Sequence, residues 1–371
     1  EKSSGYILAE DVKADISSPP FDKSAMDGFA FIYSDNLQAG GRLRNIGEIQ
    51  AGDKADYRPK EGECVRIMTG ARMPEGTDTV IKVEETEEEG DYIVFKKVPK
   101  AKANVCKLGE DYKENELVKE KNTEIDYKVI SVLAAIGASN VKVYRKPVVS
   151  IFSTGNEIVN HDEKPTGTQI RNSSAPFLIG KLNEMKIELR NYDIVEDEKE
   201  LLKKAITDNF DNDLIIFTGG ASVGDYDFTK EVLKDLDAKI YFTSTNIKPA
   251  QPATFSQLSD TYIFNLAGNP VSTMFLFEIY VKTLIKRLSN YQNVLPVFYK
   301  AELTTSVRRK NSRVNFVTSS VKYVDSQFYI TPIKTNGPAD ILAYSKANAM
   351  LKIPTGVEEL RKGAIAEFLF V

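Results

Sequence analysis

At 371 residues, with 42% apolar and 27% charged side chains, the chain has the balance of a soluble globular protein of roughly two to four domains, which excludes global disorder. Its 49 Lys and Arg against 53 Asp and Glu leave a net charge of −4, which argues against nucleic acid and against an anionic membrane as partners. Two cysteines, Cys64 and Cys106, make neither a disulfide framework nor a four-Cys zinc site, and one histidine, His161, cannot supply a site built on several.

A Ser-His-Asp triad would have to use His161, which lies in the polar run Asn160–Pro165 and reads as a solvated loop residue. The longest mostly apolar stretch, 262–285, is interrupted by Asn265, Asn269 and Glu278 and reads as no membrane span. Cysteine usage points to a reducing, cytoplasmic setting. No signal peptide is visible, and Glu1 in place of Met reads as a trimmed start. Chemistry then rests on carboxylates, Lys, Arg, backbone amides and an oxygen-loving metal.

From residue 18 to residue 112, short alternating runs (Cys64–Met68, Thr79–Val83, Tyr92–Lys97) separated by Gly, Pro and Asp predict a β-rich module. The acidic run Glu84–Glu89 reads as a solvated hairpin face. An amphipathic helix, Tyr127–Ala135, ends at Gly137, placed as a C′ glycine. Pro147 follows Val141–Tyr144 and marks entry to a new domain. There the spacing predicts a strand at Val148–Phe152, a helix capped by Asn172 or Ser173 running to Met185, and a strand at Ile187–Val195. A helix at Lys199–Phe210, a buried strand at Leu214–Phe217 and a helix at Phe228–Leu236 follow. Strands at Ile240–Phe242 and Tyr262–Leu266 and a long apolar helix, Val271–Leu288, complete the set. This alternation predicts an α/β fold around a doubly wound, mostly parallel sheet covered on both faces. After Tyr291, runs at Val297–Leu303, Val314–Thr318, Phe328–Thr331 and Met350–Ile353 predict a small C-terminal β domain. No internal repeat is present.

In such sheets ligands sit beyond the carboxyl ends of the strands, where the polar turns fall. The most informative turn is 218–227, with Gly219, Gly220, Ser222, Asp225 and Asp227 between a buried strand and a helix. It is neither a Walker A loop nor a true Gly-x-Gly-x-x-Gly, yet its amides could receive a phosphate. Asp225 and Asp227 would repel that anion unless a divalent cation such as Mg²⁺ sat between them, or they only cap the next helix. Glu157, after Thr154, Gly155 and Asn156, would project into the same crevice. Lys248, in Ile247–Pro252, would stand at the sheet's carboxyl edge beside Pro249. Gly268, Asn269 and Pro270 open the last long helix, with Pro270 at its first position and Ser272 just inside.

The motifs then resemble a known family. Pro19-Pro20-Phe21-Asp22-Lys23-Ser24-Ala25-Met26-Asp27-Gly28-Phe29-Ala30 is similar, nearly letter for letter, to the N-terminal signature of molybdopterin molybdenumtransferases, the MoeA family, which includes the gephyrin E-domain. Ile67–Ala71, Gly109–Asp111, Ser153–Glu157, the 218–227 turn and Gly268–Ser272 match further motifs in order, so the resemblance spans essentially the whole chain.

The resemblance implies the last step of molybdenum cofactor biosynthesis: adenylylated molybdopterin binds, molybdate enters its dithiolene, and AMP leaves in a Mg²⁺-dependent hydrolysis. It also implies an elongated homodimer, with molybdopterin adenylyltransferase and molybdoenzyme apoproteins or chaperones as further partners. The implied domains are 1–17 with 113–146, an inserted module at 18–112, a molybdopterin-binding domain at 147–291 and a C-terminal domain at 292–371. Carried over, Ser222 and Asp227 sit at the adenylylated pterin, Glu157 and Asp227 hold the metal, and Asp197 lines the same cleft. Lys248, Pro249, Ser272 and Arg313 form the molybdate pocket. Asp27, Thr69 and Asp111 approach from the partner subunit.

Departures are visible. The family often reads Lys-Pro-Gly-Lys-Pro where this chain has Lys248-Pro249-Ala250-Gln251-Pro252, and Ser244 stands where some members carry another lysine, so the cleft is less cationic. A Gly-Ser turn appears as Gly337-Pro338, and most of the opening helix is missing before Gly5. The alternatives are an adenylyltransferase, whose catalytic domain resembles 147–290 but which lacks both flanks, and a non-catalytic scaffold of the gephyrin type.

Overall fold

The computed structural model describes residues 2–220, 228–309 and 312–371. The chain divides into two compact units, one formed mainly by Leu8–Val143 and the other by Tyr144–Val371 with Gly5–Ile7.

The first unit carries a six-stranded sheet in the order Thr79–Lys82, Gly28–Phe31, Glu63–Ile67, Arg42–Ile49, Tyr92–Phe95, Thr86–Glu89. Period-two alternation splits its side chains between two cores. Phe29, Phe31, Cys64 and Ile81 face one, and Ala30, Val65, Ile67 and Val80 face the other. Gly28 is required where it stands, because a methyl group there would lie inside 3.0 Å of the Ile81 carbonyl oxygen. Thr86–Glu89 pairs antiparallel with Tyr92–Phe95 and exposes Glu87, Glu88 and Glu89, as the acidic run predicted. Glu88 and Glu89 meet Arg66 at 3.2 Å and Arg42 at 2.9 Å.

The helix Tyr127–Ala135 has its expected bounds. The Asp126 carboxylate accepts the Val129 N–H at 2.8 Å, and Gly137 follows at φ +76°. Its apolar side packs Val129 and Leu133 on Leu8, Val12, Ala14 and Ile125.

In the second unit the central sheet contains β1 (Val148–Thr154), β2 (Glu188–Val195), β3 (Leu214–Thr218), β4 (Lys239–Ser244), β5 (Pro252–Leu258) and β6 (Thr261–Leu266), in the order β2-β1-β3-β6-β5-β4. The pairs β1–β2, β1–β3 and β3–β6 are parallel. Helices α1 (Ser174–Glu184) and α4 (Pro270–Leu276) cover one face, where Val149, Ile151, Leu214 and Ile216 meet Leu178, Leu182 and Leu276. Helices α2 (Lys199–Thr207) and α3 (Phe228–Asp235) cover the other, where Phe152, Ile215, Phe217 and Ile263 meet Leu202, Ile206, Val232 and Leu233. α4 runs through a π segment, Phe277–Val281, into α5 (Lys282–Leu288), which together form the predicted long helix.

Two features differ from the expectation. α2 stops at Thr207 rather than Phe210, and β5 had no counterpart in the sequence reading. β5 runs antiparallel to β4 and to β6, so the far edge of the sheet is mixed. The physical reason is length. The link Thr245–Gln251 is too short for the crossover that a parallel pair needs.

The C-terminal part forms a second sheet from β7 (Tyr299–Leu303), β8 (Val314–Val324), β9 (Gln327–Pro332), β10 (Ala349–Ile353) and β11 (Ile365–Phe370). β8 pairs with both β9 and β10, which closes the sheet on itself around Leu303, Val317, Val321, Ile330, Leu351 and Phe368. Val271 and Phe275 of α4 pack on Phe316, Met350 and Leu369, joining this sheet to the central domain. Among the described residues no helix is long and apolar enough to cross a membrane.

Candidate active site

Three strands end against one another at the carboxyl edge of the central sheet, and glycine makes the approach possible. Gly219, at φ +96° after β3, lies so close to β1 that a methyl group on it would fall inside 3.0 Å of the Thr154 carbonyl oxygen. A methyl group on Gly268, after β6, would stand 3.3 Å from the Gly219 α-carbon. Gly220, at φ +64°, faces three oxygens. From its β position Thr154 Oγ1 is at 2.9 Å, Thr229 Oγ1 at 3.4 Å and Asp197 Oδ1 at 3.7 Å. The Thr154 and Thr229 hydroxyls are buried and have no hydrogen-bond partner among the described residues.

Below them a polar network fixes the strand ends. Ser153 and Thr218 share a 2.9 Å hydrogen bond, and Asn172 Nδ2 donates to Ser153 Oγ at 2.8 Å. Asn172 Oδ1 accepts the Ala175 N–H at 3.2 Å, so Asn172 rather than Ser173 caps α1. Glu157 is exposed, and its carboxylate folds back over Gly155, at φ +138°. The backbone N–H of half-buried Asp197 donates to Asn156 Oδ1 at 3.3 Å, tying the loops after β1 and β2 together. Glu157 and Asp197 are thus carboxylates on neighbouring strand ends. Mg²⁺ takes only one or two carboxylates beside phosphate oxygens and water, so this donor set fits it. Among the described residues there is no group of three or more His, Cys, Asp and Glu for a caged metal. Ser222, Asp225 and Asp227 lie outside the described residues.

Lys248 lies in the hairpin that leaves the carboxyl end of β4, and that hairpin carries it on to the C-terminal sheet. Ile247 and Lys248 form a two-residue strand parallel to Val314 and Asn315 of β8. The hairpin between β4 and β5 reaches across because Thr245 closes its base, with its N–H donating to Gln251 O at 2.8 Å and its hydroxyl to Ala250 O at 2.7 Å. Ala250 sits at φ +99°, and the Lys248–Pro249 peptide is cis. Arg313 Nη1 donates to Gln251 Oε1 at 2.5 Å, with the Ile247 carbonyl oxygen at 3.5 Å.

A cavity of about 430 Å³ opens between this hairpin and the C-terminal sheet. Lys248, Arg309, Asn315, Thr318, Thr335 and Asn336 supply its polar wall, and Pro249, Val271, Phe275 and Phe316 its apolar one. Ser272 is buried within α4, and its neighbours Val271 and Phe275 face the cavity instead. The helix turn puts residues four apart on one side, which placed Ser272 elsewhere. Sequence reasoning missed Arg309, Thr318 and Thr335. The basic run Arg308-Arg309-Lys310 was the available signal for Arg309. Asn269 is the N-cap of α4 with Pro270 at its start, as predicted.

In the first unit, Asp27 and Thr69 are brought together. Asp27 Oδ1 accepts the Thr69 N–H at 2.7 Å and its hydroxyl at 2.8 Å. The backbone N–H of Thr69, then its hydroxyl, hold the Asp27 carboxyl below the usual carboxylate range. Asp111 accepts the Ser18 hydroxyl at 3.1 Å, and Asp22 takes Lys107 at 2.7 Å and the Leu108 N–H at 2.8 Å. His161 is exposed.

Comparison with known proteins agrees along the whole chain. The MoeA N-terminal region (domain I and II) matches residues 1–137, a probable molybdopterin binding domain matches 150–287, and the MoeA C-terminal region (domain IV) matches 300–371. Both flanks therefore match MoeA regions, which a lone adenylyltransferase domain would not. A molybdopterin molybdenumtransferase of Staphylococcus epidermidis is 32% identical over 377 aligned residues, covering 100% of this chain and 89% of that protein. One of Staphylococcus aureus is 31% identical with the same coverage. A solved molybdopterin biosynthesis MoeA protein from Pyrococcus horikoshii superposes with a TM-score of 0.83 at 29% identity, covering 100% of this chain and 92% of that one. With its fold and its sequence in agreement, the chain belongs to the molybdopterin molybdenumtransferase family.

Proposed function

We propose that the chain inserts molybdate into the dithiolene of adenylylated molybdopterin and releases AMP, the last step of molybdenum cofactor biosynthesis. The observation that carries the reading is the bare-backbone cleft at the ends of β1, β3 and β6, edged by Glu157 and Asp197. Gly219 and Gly220 leave room for a phosphate against the Thr154 and Thr229 hydroxyls, which would donate to it. Glu157 and Asp227 would hold Mg²⁺, which when bound supplies charge neutralisation at the phosphoanhydride. Lys248 and Pro249 would present the oxyanion from the neighbouring cavity. Asp27, Thr69 and Asp111 would act in a homodimer from the second subunit.

The direct test is mass spectrometry of the products after incubation with adenylylated molybdopterin, Mg²⁺ and molybdate. AMP and a molybdenum-loaded pterin are expected. Asp227→Asn should keep the melting temperature and lose AMP release by about a hundredfold or more, a usual order for one electrostatic element. Unchanged release would remove the metal assignment. Mixing Asp27→Ala with Asp227→Ala subunits should restore part of the activity, and a mixture as inactive as either parent would refute the arrangement across subunits.

A further inference from the structure

We propose that the segment joining α5 to β7 forms, with α5 and β11, a docking groove for an extended acidic peptide of a partner protein, held by one apolar anchor. Residues 292–298 link α5 to β7 outside any helix or strand. Side chains alternate along the approach to β7. Val294, Pro296 and Phe298 are partly buried, while Leu295, Val297 and Tyr299 are 71%, 61% and 42% exposed. Phe370 of β11 extends this outward row, packing edge-on to Tyr299 with ring centroids 5.3 Å apart. Single exposed apolar side chains are ordinary, but a contiguous row rimmed by charge marks a contact site. No backbone–backbone hydrogen bond reaches residues 292–298 among the described residues, so their N–H and C=O groups are open to a second strand.

Beside the row lies a cavity of about 200 Å³, room for one large side chain. Leu295, Pro296, Val297, Tyr299, Leu369 and Phe370 form its apolar wall, and Glu278, Lys282 and Lys286 carry its charge. Glu278 is buried and already neutralised. Its Oε2 accepts Lys282 Nζ at 2.7 Å, and Lys181 Nζ stands 3.2 Å from its Oε1. Lys286 meets no carboxylate among the described residues, and its Nζ lies 5.9 Å from the Tyr291 ring centroid. The wall therefore sets surplus positive charge beside an apolar hole, which an acidic segment complements and a basic one does not. The open backbone next to the hole selects a peptide over a small acid. In strand addition the main chain supplies affinity, and pockets take alternate side chains.

Fluorescence anisotropy of the full chain with labelled synthetic peptides tests the proposal. The probes alternate Asp or Glu with apolar residues around a central Phe, Leu or Ile. At least one should bind with a Kd below about 100 μM. The same peptide with Lys at every acidic position should bind at least about tenfold more weakly. N-methylation of alternate amides keeps every side chain and should also cost about tenfold or more. That probe tests strand addition without any variant of the protein. Val297→Asp, at an exposed position, should weaken binding at least about tenfold. Lys286→Gln should weaken it about threefold to tenfold and flatten its salt dependence. The proposal is overturned if no probe binds more tightly than about 1 mM, or if binding survives Val297→Asp. Equal binding of the basic or the N-methylated probe overturns it too. If sedimentation shows that Val297→Asp lowers the oligomeric state, the groove belongs to a second copy of the chain, and the peptide assignment falls.

Discussion

Gly219→Ala probes the proposition that the cleft floor is bare backbone. At φ +96° an alanine pays the left-handed penalty of about 1–2 kcal/mol. Its methyl group would also fall inside 3.0 Å of the Thr154 carbonyl oxygen, a backbone atom that cannot swing aside as a long side chain could. Relief requires β1 and β3 to part at their ends, and overpacking of this kind costs about 1–3 kcal/mol more. The expected total is about 2–5 kcal/mol. Gly356→Ala is the control within the same unit, since Gly356 has φ +84° and no atom within 4 Å of its β position. It should lose only the conformational part, about 1–2 kcal/mol. Urea denaturation of both variants, followed by far-ultraviolet circular dichroism, gives the difference directly. Equal losses would show that the Thr154 contact has no energetic weight and that the close approach of β1 and β3 is incidental. A further consequence concerns the reaction. In the reaction proposed above, a displacement of about 1 Å at the floor should lower AMP release by about a hundredfold, because positioning supplies that much of the rate.

Three other outcomes are expected. Ala250→Gly should stabilise the chain by up to about 1 kcal/mol, because Ala250 stands at φ +99° where glycine carries no strain, and a thermal melt that falls instead would contradict the assigned backbone. Asp27 has its folded pKa lowered by Thr69, so its contribution is full above the unfolded carboxylate value of about 3.9 and is lost as pH falls through the lower folded value. The stability gap between the parent and Asp27→Asn should therefore shrink toward zero in urea melts taken at about pH 2 rather than about pH 6, and a gap independent of pH would show that charge has no part in the pair. Burial pushes the Cys64 thiol up to about 12, so native protein should react with a thiol reagent at Cys106 alone and at both cysteines only after unfolding; fast modification of Cys64 would refute its burial.

The sequence by itself determined the elements whose signals are local. The parallel core strands β1, β3 and β6 were legible because strands covered on both faces read as mostly apolar runs. The helix Tyr127–Ala135 was legible to the residue, since Asp126 and Gly137 punctuate it. The glycines of the cleft were legible for the same reason: they sit where strands end, and their motifs are long. Only the tertiary structure decided which partners those local elements found. Lys248 is a turn residue by its proline neighbours, yet two backbone pairings carry it into the C-terminal sheet beside Val314 and Asn315. Nothing local announces a pairing to residues so distant in sequence. Ser272 fits a motif by spacing, but helix phase turns it inward. Thr229 lacked any distinguishing neighbourhood along the chain and Arg309 had only a short basic run, because their place beneath a glycine and at a cavity wall exists only once separate strands and helices pack. Periodicity reports which face of an element is buried. The identity of what lies across that face is set by long-range packing, and the chemistry of this site depends on it.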